Sequence, residues 1–294
     1  MIWPSPYVSM ARYTRPARQG TGPWAVALTI VAFELSFALT GLIYRFVPVE
    51  AVATAWMTVL DFAVFAIPAA ILVFAVKLFH GRPAATLFGA PVRAPFVKAA
   101  WAVALVLAVQ EPLLLWLDFQ GEITIRAPLR WAPWLIPGLF AILIQVGTEE
   151  LFYRGYLQQQ LGALSARPLV WMVLPSVYFG CGHLYNGETL VEGILWAIWA
   201  AALGLACADL TARTGSIGAA VGLHFSNNIF ATVVVETAGA PMSGLALLLY
   251  PPEAPVEMDP GLVALVSPFT VMDLILTVLS IGVMWLAARV ALRV

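Results

Sequence analysis

The sequence contains few charged residues. Lys, Arg, Asp and Glu together make up 11% of its 294 residues, whereas hydrophobic residues make up 62%. A soluble domain usually carries about 25% charged residues, so this composition excludes an ordinary water-soluble fold. The mean hydropathy is +0.90, and apolar stretches of about 18 residues or more recur along the chain. The sequence therefore predicts an all-α, polytopic transmembrane helix bundle.

Cysteines and clusters of basic residues are also scarce. Cys181 and Cys207 are the only cysteines, which is too few for a disulfide framework, and we expect both to be small packing residues. The net charge of −1 and the lack of a basic patch argue against a nucleic-acid partner. The H-E-x-x-H, G-x-S-x-G and P-loop patterns are missing, so soluble zinc peptidases, serine hydrolases and nucleotide hydrolases have no support.

Eight apolar stretches predict eight membrane spans in one lipid-embedded domain. With this count, twelve of the fifteen Lys and Arg residues lie on the same side as the N-terminus, so the positive-inside rule predicts cytoplasmic N- and C-termini. Residues 1–23 are predicted to be a cytoplasmic segment and not a cleaved signal peptide. Residues 24–294 form the helical domain, with a catalytic core at 138–235. The predicted spans are 24–44, 52–76, 97–117, 138–161, 168–186, 189–210, 216–235 and 265–288.

The stretch G-T-E-E-L-F-Y-R-G-Y at 147–156 places three charges inside an apolar run. A charge at the centre of a bilayer costs about 2.5–3.5 kcal/mol. One explanation is an ordinary ion pair between Glu150 and Arg154, four residues apart, where a helix reaches the cytoplasmic surface. The predicted span instead puts Glu149 near mid-membrane, where it must face protein or a polar cavity. One buried carboxylate is weak evidence here, because other acids of unassigned role also lie in apolar stretches: Glu34, Asp61, Glu111 and Asp273.

Two of the three histidines fall within predicted spans. His80 is expected on the surface in a basic loop. His183 follows Phe179 by four residues and His224 precedes Asn228 by four, so each pair shares a helix face. A single intramembrane histidine is most simply explained by a structural hydrogen bond between helices. Several polar groups at similar depth are buried at lower cost in one shared cavity than separately in lipid.

Such a cavity is suited to hydrolysis. A carboxylate beside a neutral histidine can hold and deprotonate a water molecule. A second histidine and an asparagine amide can donate hydrogen bonds to a developing oxyanion. A divalent metal such as Zn²⁺, held by Glu149, His183 and His224, would serve the same chemistry, and the residues leave both routes open.

Three ordered motifs in this part of the chain resemble those of the CAAX-prenyl protease and bacteriocin-processing family of intramembrane endopeptidases. They are Glu149-Glu150-x-x-x-Arg154, Phe179-x-x-x-His183 and His224-x-x-x-Asn228. The resemblance implies a bundle of about eight helices and a peptide or prenylated protein C-terminus as substrate. Other members of this family act on peptide leaders.

The resemblance also implies a role for each motif residue. Glu149 and His183 would activate the water, and His224 and Asn228 would stabilise the oxyanion. Glu150 and Arg154 would support the site. This scheme needs no catalytic metal.

Two alternatives come from other functional classes. A proton-coupled transporter could use Glu149 and the histidines as a relay, although residues 24–117 lack the second set of polar motifs that inverted repeats usually provide. A catalytically silent scaffold or immunity protein would keep the motifs without the reaction.

Overall fold

The fold is a helix bundle. The structure is a computed structural model that describes residues 3–19, 22–48, 53–118, 123–251 and 261–294. Its helices are α1 (Met10–Tyr13), α2 (Pro23–Tyr44), α3 (Ala55–Ala63), α4 (Ala66–His80), α5 (Arg93–Asp118), α6 (Pro128–Glu150), α7 (Gln159–Leu164), α8 (Leu174–Cys181), α9 (Leu190–Thr214), α10 (Gly218–Ile229) and α11 (Pro268–Leu292). Three π-helical segments extend them: Leu151–Gln158, Leu169–Val173 and Phe230–Val234. The predicted all-α class is confirmed.

Six helical segments in the described part of the chain are long and apolar enough to cross a membrane, which makes this a multi-pass membrane protein. They are Pro23–Tyr44, Ala55–His80, Arg93–Gln110, Pro128–Leu164, Leu190–Thr214 and Pro268–Leu292. Each overlaps one of the eight predicted spans. The other two predicted spans, 168–186 and 216–235, are shorter helices at 169–181 and 218–234. Whether these two cross the bilayer stays a prediction.

Prolines account for two errors in the predicted spans. The second span is broken between Ala63 and Ala66, because Pro68 lacks an N–H and its ring crowds the carbonyl four residues before it. The fourth span was predicted from residue 138, but α6 begins at Pro128 and contains two further prolines. The continuous helical segment Pro128–Leu164 has 37 residues, and Glu149 still lies close to its midpoint.

The connections gather at two ends of the bundle, as the predicted topology requires. At one end the N-terminal segment meets the loops after α4 and α9: Arg12 Nη2 donates to the carbonyl of Ala90 at 3.1 Å, and Gly89 pairs with Ser216. The other end carries a small sheet that sequence analysis did not predict. Its strands are β1 (Thr124–Ile125), β2 (Val235–Thr237) and β3 (Leu248–Tyr250), in the order β1-β3-β2. Strand β3 pairs antiparallel with β1 and parallel with β2. The orientation of the two ends in the membrane stays a prediction.

The N-terminal segment packs onto the helices. Trp3, Met10 and Tyr13 are buried and share a core cluster with Trp171. The hydroxyl of Tyr7 donates to Asp209 Oδ1 at 2.8 Å, and burial together with this carboxylate raises the pKa of Tyr7 to about 12. The segment that sequence analysis separated at residue 23 is therefore in close contact with the bundle.

Helices α5 and α10 approach closely at two glycines. A Cβ at Gly218 would collide with the carbonyl of Val92, and one at Gly222 with the carbonyl of Phe96. The G-x-x-x-G spacing at 218–222 is thus used for tight helix packing, which holds α10 and its polar residues in place.

The Tyr13 hydroxyl ties the N-terminal segment to the bundle, within reach of the carbonyl oxygens of Arg154 at 3.0 Å and Leu87 at 3.3 Å. Tyr13→Phe removes the donor and leaves buried acceptors unpaired, so we expect a loss of about 1–3 kcal/mol of stability. Thermal unfolding in detergent would measure it. Tyr185→Phe is the control, since Tyr185 is 93% exposed and its replacement should leave the melting temperature unchanged. Equal melting temperatures for both variants would contradict the prediction.

The partly buried carboxyl of Glu236 on β2 predicts that the stability of the protein depends on pH. Burial raises the pKa of this carboxyl, against a smaller opposing effect of the Thr237 N–H donated to it. The folded state therefore favours the protonated form, and ionisation as the pH rises reduces stability. Glu236→Gln should raise the melting temperature at pH 7. This gain should disappear when the pH falls below 4.5, the ordinary pKa of a glutamate carboxyl. A gain of the same size at acid pH would refute this assignment.

Candidate active site

Helices α6 and α10 carry the first and third motifs and lie side by side. Gln145 on α6 is bonded to Asn228 on α10, and one turn further along, the glutamates of α6 meet His224. The residue numbers rise along one helix and fall along the other, so the helices are antiparallel. Their polar residues form successive layers along one interface.

Glu150 lies at the centre of a buried charged group. Its Oε1 accepts from Arg154 Nη1 and from His224 Nδ1, each at 2.9 Å. The three side chains are at most 3% exposed. Since a carboxylate oxygen only accepts, the proton at this contact is on Nδ1 of His224. Glu150 thereby fixes the imidazole so that Nε2 points away from it.

Arg154 is accommodated by packing on two sides. Its guanidinium lies 4.9 Å from the centroid of the Phe179 ring. On another side a Cβ at Gly204 of α9 would come within 3.1 Å of Nη2, so the missing side chain of this glycine makes room for the cation. Arg154 belongs to the π-helical segment that directly follows Glu150. Such segments are frequent at functional sites.

Glu149 faces the same imidazole from the other side. Its Oε2 lies 3.7 Å from His224 Nε2, which is too long for a hydrogen bond. The Oε2 atom is buried and has no hydrogen-bond partner among the described residues. His224 is therefore placed between two carboxylates, bonded to one and facing the other across a small gap.

His183 lies at the end of α8, beyond its last helical turn. Its Nδ1 donates to the carbonyl of Phe179 at 2.8 Å, a carbonyl left free by the end of the helix. The ring of Phe179 packs against both histidines, with its centroid 4.6 Å from that of His183 and 5.8 Å from that of His224. Within the described residues, His183 forms no hydrogen bond or ion pair with Glu149. The predicted group of four is thus only partly assembled by direct contacts.

Asn228 is hydrogen-bonded at both ends of its amide. Its Nδ2 donates to Gln145 Oε1 at 3.0 Å, and its Oδ1 accepts from Asn227 Nδ2 at 3.1 Å. Sequence analysis did not identify Gln145 as a site residue. Its position four residues before Glu149 on the same helix face was the available signal.

The predicted metal-ligand set does not form a metal-binding group. Nowhere in the described ranges do three His, Cys, Asp or Glu side chains lie close enough together to hold a metal ion. Glu149 and His224 face each other, but among the described residues no hydrogen bond or ion pair joins His183 to either of them. The geometry does not fit a zinc site built from Glu149, His183 and His224.

Two cavities lie near this region without including a motif residue. One of about 280 Å³ between α8 and α9 is lined largely by apolar side chains and includes Gly180 and Cys181, close to His183. The other, of about 380 Å³, lies between α9 and α11 and is lined by Glu192, Trp199 and Asp273 among others. The hydrogen-bonded side chains define the candidate site better than either cavity does.

The other acids in apolar stretches, and His80, have separate surroundings. Tyr178 donates to Glu34 at 2.5 Å and Tyr44 donates to Asp61 at 2.9 Å. The side chain of Glu111 lies outside the described part of the structure. The expectation that His80 is a solvated surface residue is wrong: it is half-buried, with Nε2 2.9 Å from the hydroxyl of Tyr156.

Comparison with known proteins identifies the region that contains the site. Residues 131–230 match the family described as type II CAAX prenyl endopeptidase Rce1-like. This segment is an Rce1-like region. The resemblance found from the motifs is thereby confirmed, and at family level it indicates a protease of the CAAX type.

A curated relative adds little about activity. The chain is 33% identical over 117 residues to the uncharacterized protein YyaK of Bacillus subtilis (strain 168), and the alignment covers 39% of each protein. No solved structure matches the chain.

The buried ion pair predicts a large effect of removing one partner. Arg154→Met leaves Glu150 buried without its cation, so we expect a loss of about 3–5 kcal/mol. Glu150→Gln combined with Arg154→Met should be less destabilised than Arg154→Met alone, because no unpaired carboxylate remains at residue 150. Melting temperatures in detergent would test this. Arg213→Met, in the less buried Asp209–Arg213 pair of the same spacing, is the control and should lose less. An equal fall in melting temperature in Arg154→Met and in the double variant would contradict this prediction.

Proposed function

We propose that this Rce1-like chain is an intramembrane endopeptidase that hydrolyses a peptide bond in or near the membrane with a water activated by protein side chains. The observation that carries the proposal is the 3.7 Å separation between Glu149 Oε2 and His224 Nε2. Both atoms lie at the interface of α6 and α10, with the Asn228 amide one helical turn away. A carboxylate, an imidazole and an amide at one buried interface match the needs of amide hydrolysis.

Glu149 is the proposed general base. A water oxygen placed beside this gap could lie about 2.8 Å from both Glu149 Oε2 and His224 Nε2, which is a normal hydrogen-bond distance. Among the described residues no Lys or Arg forms an ion pair with Glu149, whereas Glu150 is paired with Arg154. Of the two adjacent carboxylates, Glu149 is therefore the one available to accept a proton.

The proposed reaction proceeds in two steps. Glu149 takes a proton from the water as its oxygen attacks the carbonyl carbon, and the carbonyl π electrons move to the oxygen to give a tetrahedral oxyanion. The oxyanion then collapses, the C–N bond breaks, and Glu149 returns the proton to the leaving nitrogen. The products are a carboxylic acid and an amine, and the acid then gives its proton to the amine, which leaves a carboxylate and an ammonium group.

His224 and Asn228 are the proposed oxyanion donors. The Asn228 amide has one N–H besides the one donated to Gln145. His224 Nε2 donates when the ring carries both protons. Removing one such donor from an oxyanion site typically lowers kcat by about 10²–10³.

His183 is the proposed partner of Glu149 in holding the water, as the family resemblance implies. Its Nδ1 proton is donated to the Phe179 carbonyl, so the neutral ring carries its lone pair on Nε2. That lone pair can accept a hydrogen bond from water. Closer approach of His183 to Glu149 would accompany substrate binding, since catalytic hydrogen bonds often tighten only in the complex.

A prenylated protein C-terminus is the first substrate class to test, because the family description names CAAX prenyl endopeptidases. Peptide leaders without a lipid are the second class. The acyl side of either substrate would have to reach the α6–α10 interface from the bilayer or its surface.

Glu149→Gln should abolish cleavage of a farnesylated CAAX peptide by the purified protein in nanodiscs. We expect at least about a 10²-fold fall, because the amide cannot accept the proton. Mass spectrometry of the released tripeptide would measure it. Glu188→Gln is the control, since Glu188 lies exposed in the loop before α9 and should keep wild-type activity.

Three outcomes would count against the proposal in different ways. Wild-type activity in Glu149→Gln would remove Glu149 as the base. Cleavage of leader peptides but not of the farnesylated peptide would change the substrate class and keep the reaction. Proton-coupled flux in proteoliposomes without cleavage of either probe would favour the transporter alternative.

A further inference from the structure

Gln145 is a buried polar residue in the site that belongs to none of the three motifs. It lies on α6 one turn before Glu149 and is 6% exposed. Its Oε1 accepts from Asn228 Nδ2 at 3.0 Å across the α6–α10 interface. The first helix of the site is thus bonded directly to the residue proposed to stabilise the oxyanion.

The Asn228 amide has two orientations, and they differ in chemistry. In the observed one Nδ2 faces Gln145 and Oδ1 faces the Asn227 amide nitrogen, 3.1 Å away. A rotation by 180° would place the Asn228 NH₂ against the Asn227 NH₂, donor against donor. It would also turn Oδ1 towards Gln145 Oε1, acceptor against acceptor.

The observed orientation determines what Asn228 can offer a substrate. A primary amide has two N–H donors, and Gln145 takes one of them. The second N–H is the only donor that Asn228 itself has left for an oxyanion. In the rotated orientation an oxygen would replace that nitrogen and would repel a developing negative charge.

We propose that Gln145 is a positioning residue that holds the Asn228 amide with an N–H directed to the reacting carbonyl. Gln145 acts through Asn228 and does not contact the substrate. The inference rests on the proposed function for its catalytic consequence, but the orientation of the amide is a property of the protein alone.

Two substitutions of Gln145 separate its hydrogen bond from its volume. Gln145→Met keeps the length of the side chain and removes the acceptor. Gln145→Glu keeps acceptor oxygens and should retain the amide orientation. Gln110→Met is the matched control, since Gln110 on α5 is half-buried and bonded to Ser280, away from the site.

The kinetic test uses the farnesylated peptide, or a leader peptide if only that is cleaved. Gln145→Met should lower kcat about 10-fold or more with KM little changed. The reason is that the hydrogen bond from Asn228 to the oxyanion, which the substitution weakens, forms only in the transition state. Gln145→Glu should recover a large part of that loss, and Gln110→Met should equal wild type. In an Asn228→Ala background, Gln145→Met should have no further effect. Additive losses in the double variant would overturn the proposal.

An NMR measurement tests the orientation without catalysis. The chain has three asparagines, Asn186, Asn227 and Asn228, so selective ¹⁵N-asparagine labelling gives three pairs of side-chain amide signals. Gln145→Met should shift the Asn228 pair and leave the Asn186 pair in place, whereas Gln145→Glu should keep the Asn228 protons hydrogen-bonded. Unchanged Asn228 signals in Gln145→Met would overturn the inference. Failure of the wild type to cleave any peptide would instead count against the proposed function, with the NMR result still deciding the orientation.

Discussion

The organisation of the site depends on one oxygen atom, Oε1 of Glu150, which accepts from both Arg154 and His224. A carboxylate buried this deeply in an apolar bundle is stable only with a cation and hydrogen bonds beside it. Arg154 supplies the charge from the same helix, and His224 brings in α10. The oxygen that pairs with Arg154 therefore also fixes the imidazole whose far nitrogen faces Glu149.

Packing around this oxygen follows from its electrostatics. The buried Arg154 guanidinium needs room and a favourable surface. Gly204 provides the space, and the face of the Phe179 ring provides an electron-rich contact. The same ring packs against both His183 and His224. Phe179 thus contacts the cation and both histidines.

The two adjacent glutamates have different environments, and this difference supports the different functions proposed for them. Glu150 is bonded to a cation and to an imidazole, so it has a structural role. Glu149 keeps a buried oxygen without a partner among the described residues. The sequence pattern E-E predicts two acids at similar depth. Only the neighbours contributed by other helices distinguish the carboxylate proposed to support the site from the one proposed as general base.

The sequence by itself determined the fold class and the part of the chain that contains the candidate site. Apolar runs long enough to span a bilayer require helices, since backbone groups in lipid must bond internally, and motif spacing located the polar residues. Tertiary structure decided the break between Ala63 and Ala66, the start of α6 at Pro128, the separation of His183 from Glu149, and the Gln145–Asn228 bond. Those features depend on which side chains from distant parts of the chain meet at one interface. Periodicity along a single helix carries no information about the partner that faces it.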